Sequence, residues 1–314
     1  MAPGGYAWWY LDALSEVQPD GSQHALTAIV FIGSVFSPYY AWARRRAGAA
    51  AAPAERHCAV NVALYRRQAG QPRFQALWAM TERGAGSLLR DRLRLRIGPS
   101  QLAWTDAGLL LTVNERCTPW PRPLRGQVLL QPQALPARQF ALDDDGHHLW
   151  QPIAPQARVQ LNFEAPALRW QGTGYLDCNH GSRPLADDFQ GWDWSRSIGP
   201  DGLPRLHYDR VTRDGAFRPL ALRLDAKGRL CAAPAGLLQA LPRSAWGLDR
   251  RSRIDPACST LVRMEDGPFY SRSLLTPAVP GSVQHGVHER LDLGRFSSAW
   301  VQALLPFRMP RRGG

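Results

Sequence analysis

The spacing of apolar residues is what most constrains this chain. Over most of its length apolar and polar residues alternate in short runs, broken by Asp-Gly, Pro-Asp-Gly and proline-rich turns. A period of two marks a strand with one buried face, and short strands at such regular spacing form antiparallel barrels or sandwiches. Tyr6–Ser15 and His24–Phe36 flank Pro19-Asp20-Gly21, while Leu102–Thr105 and Leu109–Glu115 flank Asp106-Ala107-Gly108. Arg205–Thr212 and Ala216–Leu224 flank Asp214-Gly215. Further strands fit His147–Ile153, Val159–Phe163 and Ala167–Asn179. Only Arg295–Leu305 reads as a helix, with Phe296, Trp300 and Leu304 at i, i+4 and i+8 ahead of Pro306. The expected fold class is mainly β, with few short helices, including one near the C-terminus.

At 314 residues the chain is long enough for two packed halves. Glu164-Ala165-Pro166 divides the strand pattern nearly equally, into residues 1–164 and 165–314. The formal charge is +12 and almost all arginine, since Lys227 is the only lysine. Such a surface attracts anionic partners, either nucleic acid or acidic lipid. The arginines are scattered through strands without a binding motif, so nucleic acid is not expected. The five cysteines are far apart and form no Cys-x-x-Cys pair, which speaks against zinc and against a disulfide framework. Met1–Ala13 lacks the basic and apolar regions of a signal peptide, and a cytoplasmic location is expected. The most apolar window, Ala25–Phe36, is too short to cross about 30 Å of hydrocarbon. It leads into the aromatic and basic run Ser37–Arg46, which suits either a bilayer interface or a surface turn after a buried strand.

Several site classes lack their signatures: there is no GxGxxG, no Walker loop, no HExxH and no GxSxG. The histidines offer no metal site either, because His147 and His148 point to opposite faces of a strand and His285 and His288 also diverge. One constellation remains. Asp145-Gly146 forms a tight turn that launches a strand on which His148 and Trp150 share a face. In Gly172–Asn179, Thr173, Tyr175, Asp177 and Asn179 share a face, while Leu176 and Cys178 lie on the other. A polar-faced strand of this kind either meets water or builds a site. Gly191-Trp192-Asp193-Trp194 follows, and its two tryptophans share a face suited to a pocket wall or to core.

These segments resemble a known family. GSVFSPYYAWARRR, HCAVNVALY, FALDDDGHHLWQPIAP, GYLDCNHGSRPL with GWDWSRS, and VQALLPFRMPRR look like the carotenoid 1,2-hydratases of purple photosynthetic bacteria, also called hydroxyneurosporene synthases. The likeness runs from about Tyr6 to Arg311. It implies two lipocalin-like antiparallel β-barrel halves and addition of water across the terminal 1,2 double bond of acyclic carotenoids such as neurosporene and lycopene. The product is a tertiary alcohol, and no cofactor is required. The functional set it implies falls on His148, Trp150, Tyr175 and Asp177, with no departure in residue type.

An unactivated alkene is a weak base, so its hydration begins with proton transfer to carbon. Asp177 is the expected acid, since burial can raise a carboxyl by up to ~3–5 pKa units and keep its proton available. Trp150 and Tyr175 then face the tertiary cation. His148 orients the water, accepts its proton, or sets the protonation of Asp177. Trp192, Trp194 and Asn179 are expected to contact substrate. Asp12, Asp193, Glu265 and Glu289 read as surface or structural groups. The substrate partitions into lipid, so peripheral contact with an anionic membrane is expected, through the C-terminal helix with Arg308, Arg311 and Arg312, and through Tyr39–Arg46. Two rivals share the fold: a non-catalytic carrier of an apolar isoprenoid, and a cyclase that traps the cation internally.

Overall fold

The computed structural model describes residues 1–47, 52–199, 201–253, 259–277 and 286–313. Most of the Ala47–Pro53 run, Cys258, His285 and the start of the strand expected at Val283 lie outside the described residues. The chain divides into two compact units. The first comprises Met1–Ala69, Ala76–Pro184 and Gln302–Gly314, and the second Gly70–Gln75 and Leu185–Val301.

Up to Pro184 the order is β1 (Tyr6–Ser15), β2 (Gln23–Ile32), α1 (Pro38–Ala47), β3 (Cys58–Arg67), β4 (Gln75–Arg83), β5 (Leu88–Arg90), β6 (Arg94–Ile97), β7 (Ser100–Thr105), β8 (Gly108–Arg116), β9 (Pro123–Pro132), β10 (Phe140–Ala141), β11 (His148–Ala165) and β12 (Ala167–Gly181). Then come β13 (Phe189–Ile198), β14 (Pro204–Thr212), β15 (Phe217–Leu224), β16 (Leu230–Ala232), β17 (Gln239–Leu241), β18 (Arg250–Ser252), β19 (Ser259–Asp266), β20 (Tyr270–Pro277) and β21 (Gly286–Asp292). The helices α2 (Leu293–Ser297) and α3 (Ala299–Arg308) and the short β22 (Arg311–Arg312) end the chain.

The first unit is one sheet ordered β22-β4-β3-β2-β1-β12-β11-β9-β8-β7-β6-β5, with β10 beside β11. β22 runs parallel to β4, and from β3 along the order to β5 each neighbouring pair is antiparallel. Its alternating residues put Leu11, Val30, Val62, Ile97, Leu111 and Leu161 into one buried cluster. Residues from β3 and from β6 meet there although the two strands are far apart in the sheet order, so the sheet curls around this core. The second unit holds the sheet β16-β15-β14-β13-β21-β20-β19 and the hairpin β17-β18. The mainly β, lipocalin-like fold class is as expected. Among the described residues no helix is long and apolar enough to cross a membrane.

Several elements differ from the sequence reading. His147–Ile153 and Val159–Phe163 form one long strand, β11, whose register shifts between Pro152 and Ala157. Its prolines interrupt the alternation without ending the pairing. Glu164-Ala165-Pro166 lies at the tip of the β11–β12 hairpin, inside the first unit. Ser37–Arg46 contains a helix, α1, because Pro38 suits a first helical turn and Ser37 Oγ accepts the amides of Tyr39 (3.1 Å) and Tyr40 (3.4 Å). Arg44, Arg45 and Arg46 occupy its last turn, where the helix dipole favours cations. The expected helix Arg295–Leu305 is instead broken at Ser298. Asp292 caps α2 through the Arg295 amide at 2.8 Å, and α3 continues through Pro306 to Arg308. The break puts the apolar stripe out of phase: Phe296 is buried, whereas Trp300 and Leu304 are exposed.

Candidate active site

Three adjacent strands carry the site. In the antiparallel register Tyr10 faces Asp177, Asp12 faces Tyr175, and Trp8 faces Asn179 across β1 and β12. On the other side of β12, Pro152 faces Asp177, Trp150 faces Asn179, and His148 faces Gly181. The side-chain period of two then puts all these groups on one face, the reverse of the face that carries Leu11 and Leu176 into the core.

Local chemistry starts β11 at the right residue. Asp143 accepts the His148 amide at 2.7 Å through Oδ1 and the His147 amide at 3.0 Å through Oδ2. Gly146 supplies the left-handed turn between them, with φ of 71°.

Asp177 is the centre of the arrangement. The indole N–H of Trp150 and the hydroxyl of Tyr175 both donate to its Oδ2, each at 2.8 Å. Trp150 sits beside Asp177's direct partner, so its ring reaches the carboxyl diagonally across the strand pair. Asn179 Nδ2 lies 3.5 Å from Oδ1. His148, Trp150 and Tyr175 are fully buried, and Asp177 and Asn179 nearly so. Two donors on one oxygen favour the ionised carboxylate, while burial favours the neutral acid. The pair of bonds also fixes which oxygen points where: an indole N–H can only donate, so Oδ2 is held as an acceptor.

His148 has a different neighbour, Tyr6, whose hydroxyl is 2.8 Å from Nδ1. Gly181 makes this possible, because a Cβ there would lie 2.7 Å from the Tyr6 ring and 2.8 Å from His148 Nδ1. Tyr6 stacks on Trp8 with centroids 5.0 Å apart, and Tyr10 meets Tyr175 edge to face at 6.1 Å.

The structure therefore gathers His148, Trp150, Tyr175, Asp177 and Asn179 on one buried face. Trp192 and Trp194 are buried on β13 in the second unit, where Trp192 packs against Tyr208. Asp193 is a buried structural acceptor for the Arg251 amide, His288 Nε2 and Arg290. Cys178 is on the opposite face, and burial pushes its thiol up to about 12. His180 is there too, and burial lowers its pKa. Among the described residues no three His, Cys, Asp or Glu side chains gather as a metal site.

The sequence reading placed a strand at Tyr6–Ser15 but missed that this strand, β1, belongs to the site. It supplies Tyr6, Trp8, Tyr10 and Asp12 to the same face, and Asp12 is fully buried with its Oδ2 accepting from Tyr10 at 3.2 Å. Asp12 is thus no surface group. The signal was present: aromatic residues at positions 6, 8 and 10 lead to an acid at 12, as Tyr175 leads to Asp177.

Fold and site together define a lipocalin-like β protein with a buried carboxyl group set among aromatic rings. Solved structures agree with the fold. A protein assigned as AttH from Nitrosomonas europaea superposes with a TM-score of 0.57 at 16% identity, covering 91% of this chain and 92% of that one. Kievitone hydratase from Nectria haematococca gives 0.51 at 8% identity, covering 91% and 88%. At sequence level the family model described as carotenoid hydratase CrtC matches residues 28–314. The acyclic carotenoid 1,2-hydratase of Thiocapsa roseopersicina is 47% identical over 100% of this chain and 75% of its own length. The protein of the same name from Rubrivivax gelatinosus is 42% identical over 99% and 75%, and that from Cereibacter sphaeroides 38% identical over 91% and 98%. The chain belongs to the carotenoid hydratase family and is an enzyme of that kind.

Proposed function

We propose that this enzyme adds water across the terminal 1,2 double bond of acyclic carotenoids, with neurosporene and lycopene as substrates, and that Asp177 is the acid. The observation that carries this reading is the buried carboxyl whose Oδ2 accepts from both Trp150 and Tyr175 at 2.8 Å. With Oδ2 held as an acceptor, the acidic proton resides on Oδ1. There it passes to C2 of the alkene, whose π electrons form the new C–H bond. The positive charge develops at C1, where it is tertiary and so most stable. The rings of Trp150 and Tyr175 face the cation, and a desolvated cation–π contact contributes about 2 kcal/mol. Water then forms the C–O bond at C1. His148, held by Tyr6, receives the proton that water loses and returns it to Asp177, so the cycle closes without net consumption of acid. Asn179, on the same face as Asp177, contacts the polyene. Every group in the scheme is a side chain, and no cofactor takes part.

A carotenoid of this size dissolves in lipid rather than water. The enzyme therefore works at an anionic membrane surface, on the cytoplasmic side of the inner or photosynthetic membrane.

The test is incubation of the purified protein with lycopene in detergent, followed by mass spectrometry. Wild type gives a product heavier by one water. Asp177→Asn lowers turnover by about 10²–10⁴, the usual contribution of a general acid, while polyene binding is retained. A product of unchanged mass would point to cyclisation, and unaltered substrate with every acyclic carotenoid would point to a carrier.

A further inference from the structure

Trp120 and Phe307 are 74% and 77% exposed, an unusual state for side chains of this size. They are not on loose segments. Trp120 lies between Pro119 and Pro121 in a loop closed by the Cys117 amide to Arg122 O at 2.8 Å, and tied to β4 by the Thr118 amide to Trp78 O at 3.0 Å. Phe307 is in the last turn of α3, and the two carriers are joined by Thr118 Oγ1 donating to Arg308 O at 2.7 Å. Leu304, one turn before Phe307, is 48% exposed. Arg116 and Arg122 flank the loop and are exposed. The basic groups that the sequence suggested for lipid contact are largely engaged within the protein. Arg308 covers the Trp78 ring at 4.3 Å, Arg311 pairs with Glu82, and Arg45 reaches Gln302 at 3.5 Å.

We propose that Trp120 and Phe307 are the paired anchors by which the first unit docks on an anionic bilayer. This rests on the membrane reading given above. Aromatic side chains held rigidly beside arginines are suited to the headgroup boundary, where the rings enter the acyl region and the guanidinium groups meet lipid phosphate. The net charge of +12 and the exposed Arg116, Arg122 and Arg312 select an anionic surface over a neutral one.

The experiment is flotation of the full chain with vesicles of phosphatidylglycerol and phosphatidylcholine, and with phosphatidylcholine alone. Wild type floats with the mixed vesicles and at least tenfold less with the neutral ones. Trp120→Ala/Phe307→Ala loses at least tenfold in partitioning, keeps its thermal midpoint, and still turns over detergent-dispersed lycopene. Leu89→Glu/Leu93→Glu, which alters two other exposed leucines set among arginines, floats as wild type does. The proposal is overturned if wild type does not float, if the aromatic variant floats like wild type, or if the leucine variant loses binding equally. Lycopene turnover in detergent is read separately, so failure of the hydration chemistry is told apart from failure of docking.

Discussion

The hydroxyl of Tyr6 lies 2.8 Å from Nδ1 of His148, and their rings are near parallel with centroids 5.8 Å apart. A residue at the start of β1 thereby holds one at the start of β11, through the gap left by Gly181. Tyr6→Phe keeps the stacking and removes the bond. Turnover is expected to fall about fivefold with KM little changed, in keeping with one lost hydrogen bond of ~1 kcal/mol. Steady-state kinetics on lycopene would check this. An unchanged kcat would show that Tyr6 does not orient His148.

Trp150 and Tyr175 act on the same oxygen of Asp177. Trp150→Phe and Tyr175→Phe each keep a ring near the cation and remove one donor. Each is expected to lower kcat by ten- to a hundredfold. The double variant should lose less than the product of the two, because the remaining donor and the carboxyl rearrange together. A double-mutant cycle on kcat measures that coupling; strict additivity would mean the two bonds act independently.

Gly181→Ala puts a methyl against the Tyr6 ring and His148 Nδ1 at distances that real contacts do not reach. Overpacking of this kind costs about 1–3 kcal/mol. Both a lower thermal midpoint and a loss of turnover are expected, measured by calorimetry and product formation on the same preparation. A variant that melts lower but retains full activity would separate Gly181 from the site.

His207 in β14 is held at a pKa of about 4, first by burial and then by Arg253 and Arg205. His24 and His180 are shifted the same way, chiefly by burial. The folded state thus binds fewer protons than the unfolded one between the unfolded value near 6.5 and the folded value near 4. Stability is fully present above that window and is lost as pH falls through it. His207→Leu should show a shallower decline of thermal midpoint between about pH 6.5 and 4. If the two proteins show identical slopes, His207 is not the titrating group.

The sequence alone made two parts of the site readable and hid a third. Tyr175 and Asp177 belong together because they are two apart on one strand, and so do His148 and Trp150. Their meeting across strands, and the arrival of Tyr6, Tyr10 and Asp12 from the far end of the chain, depend on β1 pairing with β12 in one register among several that alternation permits. Asp12 read as either a surface or a structural group for the same reason: a polar-faced strand is identical in sequence whether its face meets water or another layer. Helix limits failed on local competition. Ser37 with Pro38 starts α1 in a stretch whose aromatic and basic residues carry no helical apolar stripe, and Ser298 breaks a stripe that looked continuous.

Period-two alternation, turn residues and the absence of long apolar runs were enough to determine a mainly β chain with one polar face on the strand bearing Asp177. Those are properties of single strands, where side-chain direction follows from backbone geometry alone. The tertiary structure decided which strands are neighbours, and hence that both donors converge on one buried oxygen of Asp177, that Tyr6 holds His148, and that Trp300 and Leu304 face outward. Such outcomes depend on long-range register and on what packs where, and a residue's own sequence neighbours carry no record of either.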